Sequence, residues 1–444
     1  MAVQSNNHNN LHRIVVVGGG AGGLELVTRL GHRLGRHGRA HVTLIEKART
    51  HFWKPHLHEI AAGSIDINAH AIDYLAQSHW HGFRYRLGAM VGLDRARREV
   101  QVAPVLDDEG APITPPYVRG YDTLVIATGS HTNDYGTPGV HEHAIALETP
   151  EEAERFHRRM VNACIRAHVQ AVAHGPHQVN VAIVGAGATG VELAAELRKA
   201  LRLLVTYGLD QIDPERDIRI HLIEAGPRIL PALPTRIADA AGELLKALRI
   251  ETRCGAKVSA VRADGVELAD GTLVSAQLVV WAAGVKAPAW LKELAGLETN
   301  ALNQLVVRPT LQTTRDDAVF AIGDCAAAPW LGQKGTVPPR AQAAHQQASH
   351  LAVQLPRHLR GLPLKTWRYR DFGSLVSLGE HTTVGNLMGG LVGGNLWVEG
   401  LFARVMYTSL YKPHELAVHG WWRTAMSTAS RLLQRRSEPR VKLH

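Results

Sequence analysis

Two short glycine clusters carry the first chemistry this sequence offers. Gly18, Gly20 and Gly23, with Gly22 between, follow the GxGxxG spacing, and so do Gly185, Gly187 and Gly190. In such a set the first glycine permits a tight turn and the second lets the backbone approach a pyrophosphate. The third lets a helix pack closely on a strand. The helix that opens there turns unpaired N–H groups and its positive dipole end toward phosphate. Each cluster is followed by an acid at the end of the next apolar run, Glu46 and Glu224. A carboxylate in that place accepts hydrogen bonds from ribose hydroxyls. It also repels a 2′-phosphate, so Glu224 favours NADH over NADPH, while nearby Arg228 leaves the discrimination incomplete. In a chain with 42 glycines the spacing alone is a weak signal, and context must supply the weight.

The context is a strand-turn-helix-strand order, met twice. "RIVVV" at 13–17 precedes the first cluster, an amphipathic stretch over 23–35 follows, and "HVTLIE" at 41–46 ends in the acid. "VNVAIV" at 179–184, a helix from about 190 to 207, a loop at 208–217 and "IRIHLIE" at 218–224 repeat that order. Continuous apolar runs of this length read as buried parallel strands. Each unit also has a late strand ending in a small-residue turn. "YDTLVIATGS" at 121–130 ends in Ala127, Thr128 and Gly129, and "LVVWAAGV" at 278–285 contains Gly284. The expected fold is α/β, with two Rossmann-like dinucleotide-binding units at 11–145 and 178–298. A helix over 150–177 crosses between them. The first unit is expected to be completed by residues 300–380, because "VFAIGDCA" at 319–326 is a strand ending in Gly323 and Asp324. Such a strand can return to the first unit and offer a carboxylate to its nucleotide. A helix at 339–356 and a strand at 373–380 follow, then a glycine-rich stretch at 384–400.

Composition bounds the rest. A chain of 444 residues, 45% hydrophobic and 20% charged, is long enough for two or three folded domains. Three scattered cysteines with no CxxC pair exclude a zinc ribbon and a neighbouring redox dithiol, and fit a reducing compartment. The 26 histidines show no HExxH or paired ligand spacing, so they read as mostly surface residues and no metal is expected. The polar N-terminus lacks the apolar region of a signal peptide. No run of 18 apolar residues occurs, so no spanning helix is expected. The net charge of +9 fits nucleic acid, an anionic membrane, an anionic ligand or nothing specific, but no basic stripe or nucleic-acid module accompanies it, so nucleic acid is not expected.

Two nucleotide units with a downstream Gly-Asp strand resemble the flavoprotein disulfide reductase superfamily. That resemblance implies FAD on the first glycine loop, NADH on the second, and Asp324 as a flavin ligand. Within the superfamily, "FWKPHLHEIAAG" at 52–63, "GPRILP" at 226–231, "AQAAHQQA" at 341–348 and "GSLVSLGE" at 373–380 look like the type II NADH dehydrogenases. "LWVEGLFARVMYTSLYKPHELAVHG" at 396–420 resembles their proteobacterial members. The resemblance covers the chain after residue 12. It implies a non-proton-pumping NADH:quinone oxidoreductase of the respiratory chain, peripheral on the cytoplasmic face of the membrane, and often dimeric. FAD contacts are then expected from Gly18, Gly20, Gly22, Gly23, Glu46, Lys54, Ala127, Thr128, Gly129, Asp324 and Gln342. NADH contacts are expected from Gly185, Gly187, Gly190, Glu192, Glu224 and Gly284. Glu192, two residues past its last glycine, reads as a first-turn acid that interacts with the helix dipole. The resemblance instead places it near the nicotinamide and flavin, orienting the carboxamide or moving protons for quinone. Glu25 holds the equivalent position, and there an acid serves only its helix. Lys54 is either a solvent lysine or a cation beside the flavin N1–C2=O edge. Gln342 and Gln346, four apart, share one small, polar helix face near the flavin–quinone region. A sulfide:quinone oxidoreductase is the alternative enzyme, but Cys164, Cys254 and Cys325 form no evident partner set. An NADH-sensing flavoprotein is the non-catalytic alternative.

The last forty-odd residues form a separate zone, and 381–444 is expected to meet the membrane. Val418, Trp422, Met426, Ala429 and Leu433 recur at helical spacing, widened by Trp421, Ala425 and Leu432. Arg423, Arg431, Arg435 and Arg436 lie beside that stripe or at its end. Leu401, Phe402, Val405, Met406 and Leu410, before Pro413, suggest a second such helix. Apolar stripe, paired tryptophans and basic flanks suit a helix lying in an anionic membrane surface. Packing on a domain core is the competing reading.

Overall fold

The computed structural model describes residues 11–174, 178–377, 383–387 and 396–397, and residues 415–428 apart from 419, 423 and 427. The chain opens with strand β1 (His12–Val17), helix α1 (Ala21–Leu30), strand β2 (Ala40–Glu46), helix α2 (Tyr74–His81), strand β3 (Arg84–Leu87) and strand β4 (Thr123–Ile126). There follow β5 (Ala144–Ala146), α3 (Pro150–His174), β6 (Val179–Val184), α4 (Ala188–Thr206), β7 (Ile218–Ile223), α5 (Thr235–Ala247), β8 (Ile250–Arg253) and β9 (Leu278–Trp281). Then come β10 (Gln312–Thr313), β11 (Asp316–Ala321) and α6 (Ala341–His358).

Two sheets organise these elements. One has the order β10-β11-β4-β1-β2-β3, the other β5-β9-β6-β7-β8. Every pair is parallel except β10 with β11. The apolar runs are buried on both faces, and Ile14, Val15 and Val16 are wholly inaccessible. Burying each such side chain contributes about 1.5–3 kcal/mol, which is why these strands tolerate no alternation with polar residues. β11 pairs with β4 in the register Ile126↔Ala321, so the downstream strand does return to the first sheet.

Three elements differ from the sequence expectation. The boundary drawn at 145 falls inside β5, which pairs with β9 and belongs to the second sheet. Helix α3 is not merely a crossover either. Its Ala153, Phe156, Met160 and Cys164 lie in the second core, together with Leu57 and Ile60 from the first unit. Each unit also carries a three-stranded antiparallel meander, over 90–120 and 258–275, that periodicity did not reveal. Its strands are short and half-exposed, so they lack a continuous apolar run.

The strand expected near 373–380 is present as Ser374–Ser377, paired with Thr383–Leu387. The segment expected as a second surface helix, Leu401 to Pro413, lies outside the described residues, as do Ala429, Leu432, Leu433, Arg423, Arg431, Arg435 and Arg436. Residues 415–418, 420–422, 424–426 and 428 are helical. Val418, expected in the exposed stripe, is instead fully buried in the first core. Trp421, Trp422 and Met426 are 72%, 67% and 58% exposed, so the apolar face splits between protein and exterior.

Candidate functional site

The two glycine turns are built alike. Gly18 and Gly185 take left-handed φ values of 99° and 103°, where a side chain would be strained. A Cβ at Gly23 would lie 1.8 Å from the Gly18 carbonyl oxygen, and one at Gly190 1.9 Å from that of Gly185. Those third glycines let helix and turn touch. Around Gly20 and Gly187 nothing lies within 4 Å of a Cβ position. Both residues cap their helices without a side-chain hydrogen bond, so first-turn N–H donors face open space. A pyrophosphate fits that vacancy in shape and in charge. Gly22 points elsewhere. It packs on α6, where a Cβ would lie 3.3 Å from the Ala344 carbonyl oxygen.

The acids close each turn. Glu46 accepts hydrogen bonds from the Gly19 N–H at 2.6 Å and the Ala48 N–H at 3.0 Å. Glu224 accepts from Ala186 N–H at 2.8 Å and Gly226 N–H at 2.7 Å. Beneath the first turn, the Tyr74 hydroxyl and His51 Nδ1 donate to the Gly19 carbonyl at 2.7 and 2.9 Å. Burial, with the Glu46 charge, raises the Tyr74 pKa well above its ordinary value and keeps it a donor. Beside the second turn, the Leu230 N–H donates to the Ala186 carbonyl at 2.8 Å, from a left-handed φ of 47°. Arg228 donates to the carbonyls of Pro231 and Leu233 at 3.0 and 2.9 Å. It pins this loop, and that commitment competes with binding a 2′-phosphate.

The Gly323–Asp324 turn lies beside the turn Ala127–Ser130, because β11 and β4 are neighbours. Ser130 Oγ donates to Asp324 at 2.8 Å, and Lys54 Nζ donates to the Ser130 carbonyl at 3.1 Å. Burial raises the Asp324 pKa, while the Ser130 bond and the Lys54 charge oppose that rise. The turn is held from behind by buried Gln347, whose Oε1 accepts the Gly323 N–H at 2.6 Å, and by Gln304, which donates to the Asp324 carbonyl at 2.8 Å. Gly129 and Gly284, ending the corresponding strands of the two units, have φ values of 71° and 60°.

The matching glutamates part company here. Both helices begin four residues before the acid, so Glu25 and Glu192 occupy the second turn and not the first, which corrects the dipole reading. Glu25 is wholly buried and serves more than its own helix. It meets His345 Nδ1 at 2.5 Å, Ser349 Oγ at 3.0 Å and Arg29 Nε at 2.8 Å, joining α1 to α6. Glu192 is 8% exposed and lies 4.0 Å from His58 Nδ1. His58 adjoins Glu59, which is 3.2 Å from His56. Burial pushes the Glu59 carboxyl up, but His56, His58 and His70 outweigh it and bring the pKa down to about 2. The sequence pattern did not reveal that Glu192 lies near His58 of the "KPHLHE" stretch. His51, His58, His81, His157 and His221 are buried.

Gln342 and Gln346 share a helix face as expected, and that face meets protein. Gln342 accepts the Phe372 N–H at 3.2 Å and donates to the Gly373 carbonyl at 3.1 Å. Gln346 accepts from and donates to the backbone of Arg370 at 3.0 and 2.8 Å. Each amide thus mimics a strand edge and docks residues 370–373. The cysteines lie in unlike places. Cys164 is in the second core, Cys325 is buried beneath β4 and β11, and Cys254 is exposed after β8. Burial raises the pKa of all three, so none is a ready thiolate.

Residues 12–348 match the pyridine nucleotide-disulphide oxidoreductase family. A type II NADH:quinone oxidoreductase of Haemophilus influenzae is 40% identical over 446 residues, covering 98% of this chain and 100% of that protein. The protein of the same name from Staphylococcus aureus is 27% identical over 86% of this chain and 91% of its own. Among solved structures, NDH2 from Plasmodium falciparum in complex with NADH superposes with a TM-score of 0.79. It is 18% identical and covers 97% of this chain and 99% of its own. The sulfide:quinone oxidoreductase of Aquifex aeolicus superposes with 0.71, at 18% identity and coverage of 96% and 95%. At such identities the structures speak for a common fold, which two different electron donors share.

Proposed function

We propose the following chemistry for this chain, which belongs to the type II NADH:quinone oxidoreductases of the pyridine nucleotide-disulphide oxidoreductase family. It is an FAD-dependent oxidoreductase that takes electrons from NADH and reduces a quinone. The observation that carries this reading is the pair of uncapped glycine turns, each closed by its own carboxylate, in one chain with the Gly323–Asp324 turn beside the first. The first turn, with Glu46 and Asp324, would hold FAD, which would supply a two-electron carrier between NADH and quinone.

The residues divide that work. Gly18, Gly20 and Gly23 receive the FAD pyrophosphate at the head of α1, and Glu46 receives a ribose. Ala127, Thr128, Gly129 and Asp324 line the flavin side of the site, with Gly22 supporting it through α6. Lys54 supplies positive charge near the Ser130–Asp324 pair, which would offset negative charge gained by a cofactor held there. Gly185, Gly187, Gly190 and Gly284 receive NADH, and Glu224 meets its ribose. The carbonyl bonds of Arg228 support NADH over NADPH. Glu192 orients the nicotinamide carboxamide or delivers a proton toward quinone, with His58 as its neighbour. Gln342 and Gln346 fix residues 370–373 and so shape the flavin–quinone region from behind.

Quinones are lipid-soluble, and a membrane-resting enzyme meets them directly. The exposed Trp421, Trp422 and Met426 support peripheral attachment. Among the described residues no helix is long and apolar enough to cross a membrane. We place the protein on the cytoplasmic face, on an anionic surface, as a homodimer. Steady-state assay with a soluble quinone analogue tests the activity. Multiple turnovers with NADH, and a markedly lower kcat/KM with NADPH, are expected. A single reduction without turnover would instead indicate a sensor.

A further inference from the structure

At the end of α1 remote from the glycine turn, the chain makes a tight five-residue turn, Gly31–Gly35, against the end of α2. A cleft of about 580 Å³ opens there. His32, Arg36, His79 and Trp80 form one wall, and Leu416 and Gly420 from the C-terminal helix form the other. No acidic side chain lines it among the described residues. The basic groups are held in place. Arg36 donates to the Trp80 carbonyl, and its stem lies against Gly82. His32 Nε2 is 2.6 Å from Nδ1 of His81. The rim is apolar and aromatic. Trp80 is 41% exposed and Leu416 40%, and the exposed Trp421 and Trp422 follow directly on Gly420, their rings 6.2 Å apart.

We infer that this cleft binds the phosphodiester head group of an anionic membrane lipid. The guanidinium and imidazoles give an anion several N–H donors, with no carboxylate to repel it. Tryptophans prefer the level of the head groups, where a ring meets both water and acyl chains. The cleft places both features on one surface, and Trp80 comes from the first unit itself, not from the C-terminal segment. Attachment therefore involves the body of the flavin-binding unit as well as the terminal helix. This inference rests on the peripheral-membrane reading and adds to it a lipid class and a named site.

Vesicle co-sedimentation of the full FAD-loaded chain tests it, comparing phosphatidylcholine alone with a phosphatidylcholine–phosphatidylglycerol mixture. The wild type should prefer the mixture. Arg36→Gln should weaken binding to the mixture about fivefold, the worth of one basic side chain at such a surface. Arg36→Gln with His79→Gln should reduce the preference further, leaving only the share owed to basic residues elsewhere in the chain. Both variants should keep wild-type binding to phosphatidylcholine and wild-type turnover of a soluble quinone analogue. Trp421→Ala with Trp422→Ala should weaken binding to both vesicles. An undiminished preference in the Arg36→Gln, His79→Gln variant would overturn the site. So would inorganic phosphate that perturbs the His79 NMR signals while leaving vesicle preference unchanged at matched ionic strength, since the ligand would then be a free anion. If the tryptophan variant turned a dimer into a monomer with vesicle binding intact, a second copy would be the occupant. Failure of the wild type to bind either vesicle would overturn the membrane reading itself.

Discussion

Gly20 and Gly23 sit three residues apart, yet a methyl group added to each meets opposite surroundings. At Gly23 it strikes the Gly18 carbonyl, so Gly23→Ala should destabilise the fold by about 1–3 kcal/mol or more. At Gly20 it enters empty space, so Gly20→Ala should leave the unloaded chain as stable as wild type and weaken FAD retention. Thermal unfolding with and without added FAD separates the two. Glu192 and Glu25 form a second contrasting pair. Glu192→Gln should retain FAD and slow turnover on the order of 10²-fold, within the range of lost proton transfer. Unchanged rates in both half-reactions would remove Glu192 from the mechanism. Glu25→Gln should instead cost stability, because it deprives His345 and Arg29 of their buried carboxylate partner.

Among the elements, the link after β4 carries a titratable tie. Glu148, just before α3, accepts hydrogen bonds from the Thr132 N–H and from His131 Nδ1. Strand His131–Thr132 pairs in turn with Val285–Lys286, following the turns of both units. Burial pushes the Glu148 carboxyl up, but His131 and Thr132 outweigh it and bring its pKa from 4.5 down to about 2. A depressed carboxyl stabilises the fold above its unfolded pKa and loses that contribution as pH falls through the folded value. The loss therefore runs from about pH 4.5 down to about 2. Glu148→Gln should cost about 1–2 kcal/mol near neutral pH and flatten the decline in stability over that acid window. Denaturant unfolding at a series of pH values would show it.

Across the whole molecule, the parts legible in advance were those with a strong period or a fixed spacing. The buried strands of both sheets, the glycine turns, Glu46, Glu224 and the return of the Gly323–Asp324 strand all have such signals. The approach of His58 to Glu192 had none, because the two meet only where residues 57–61 pack into the second core. The boundary at 145 cut through strand β5 because three residues carry too little pattern to mark a strand or its partner. The tryptophan stripe divides between two surroundings. Helical spacing groups Val418 with Trp422, but only the tertiary fold decides that one faces the core and the other the exterior. Removal of residues 400–444 should release the protein from membranes if that exterior face is the attachment surface, and retention on the membrane would contradict it.

Transfer of electrons from NADH to a quinone through one flavin is tested most directly by stopped-flow absorbance of the FAD-loaded protein. NADH should bleach the flavin rapidly, and quinone added afterwards should restore it, with NADPH slower and sulfide inert. A flavin that bleaches with sulfide but not with NADH, or that NADH reduces and quinone fails to reoxidise, would contradict it.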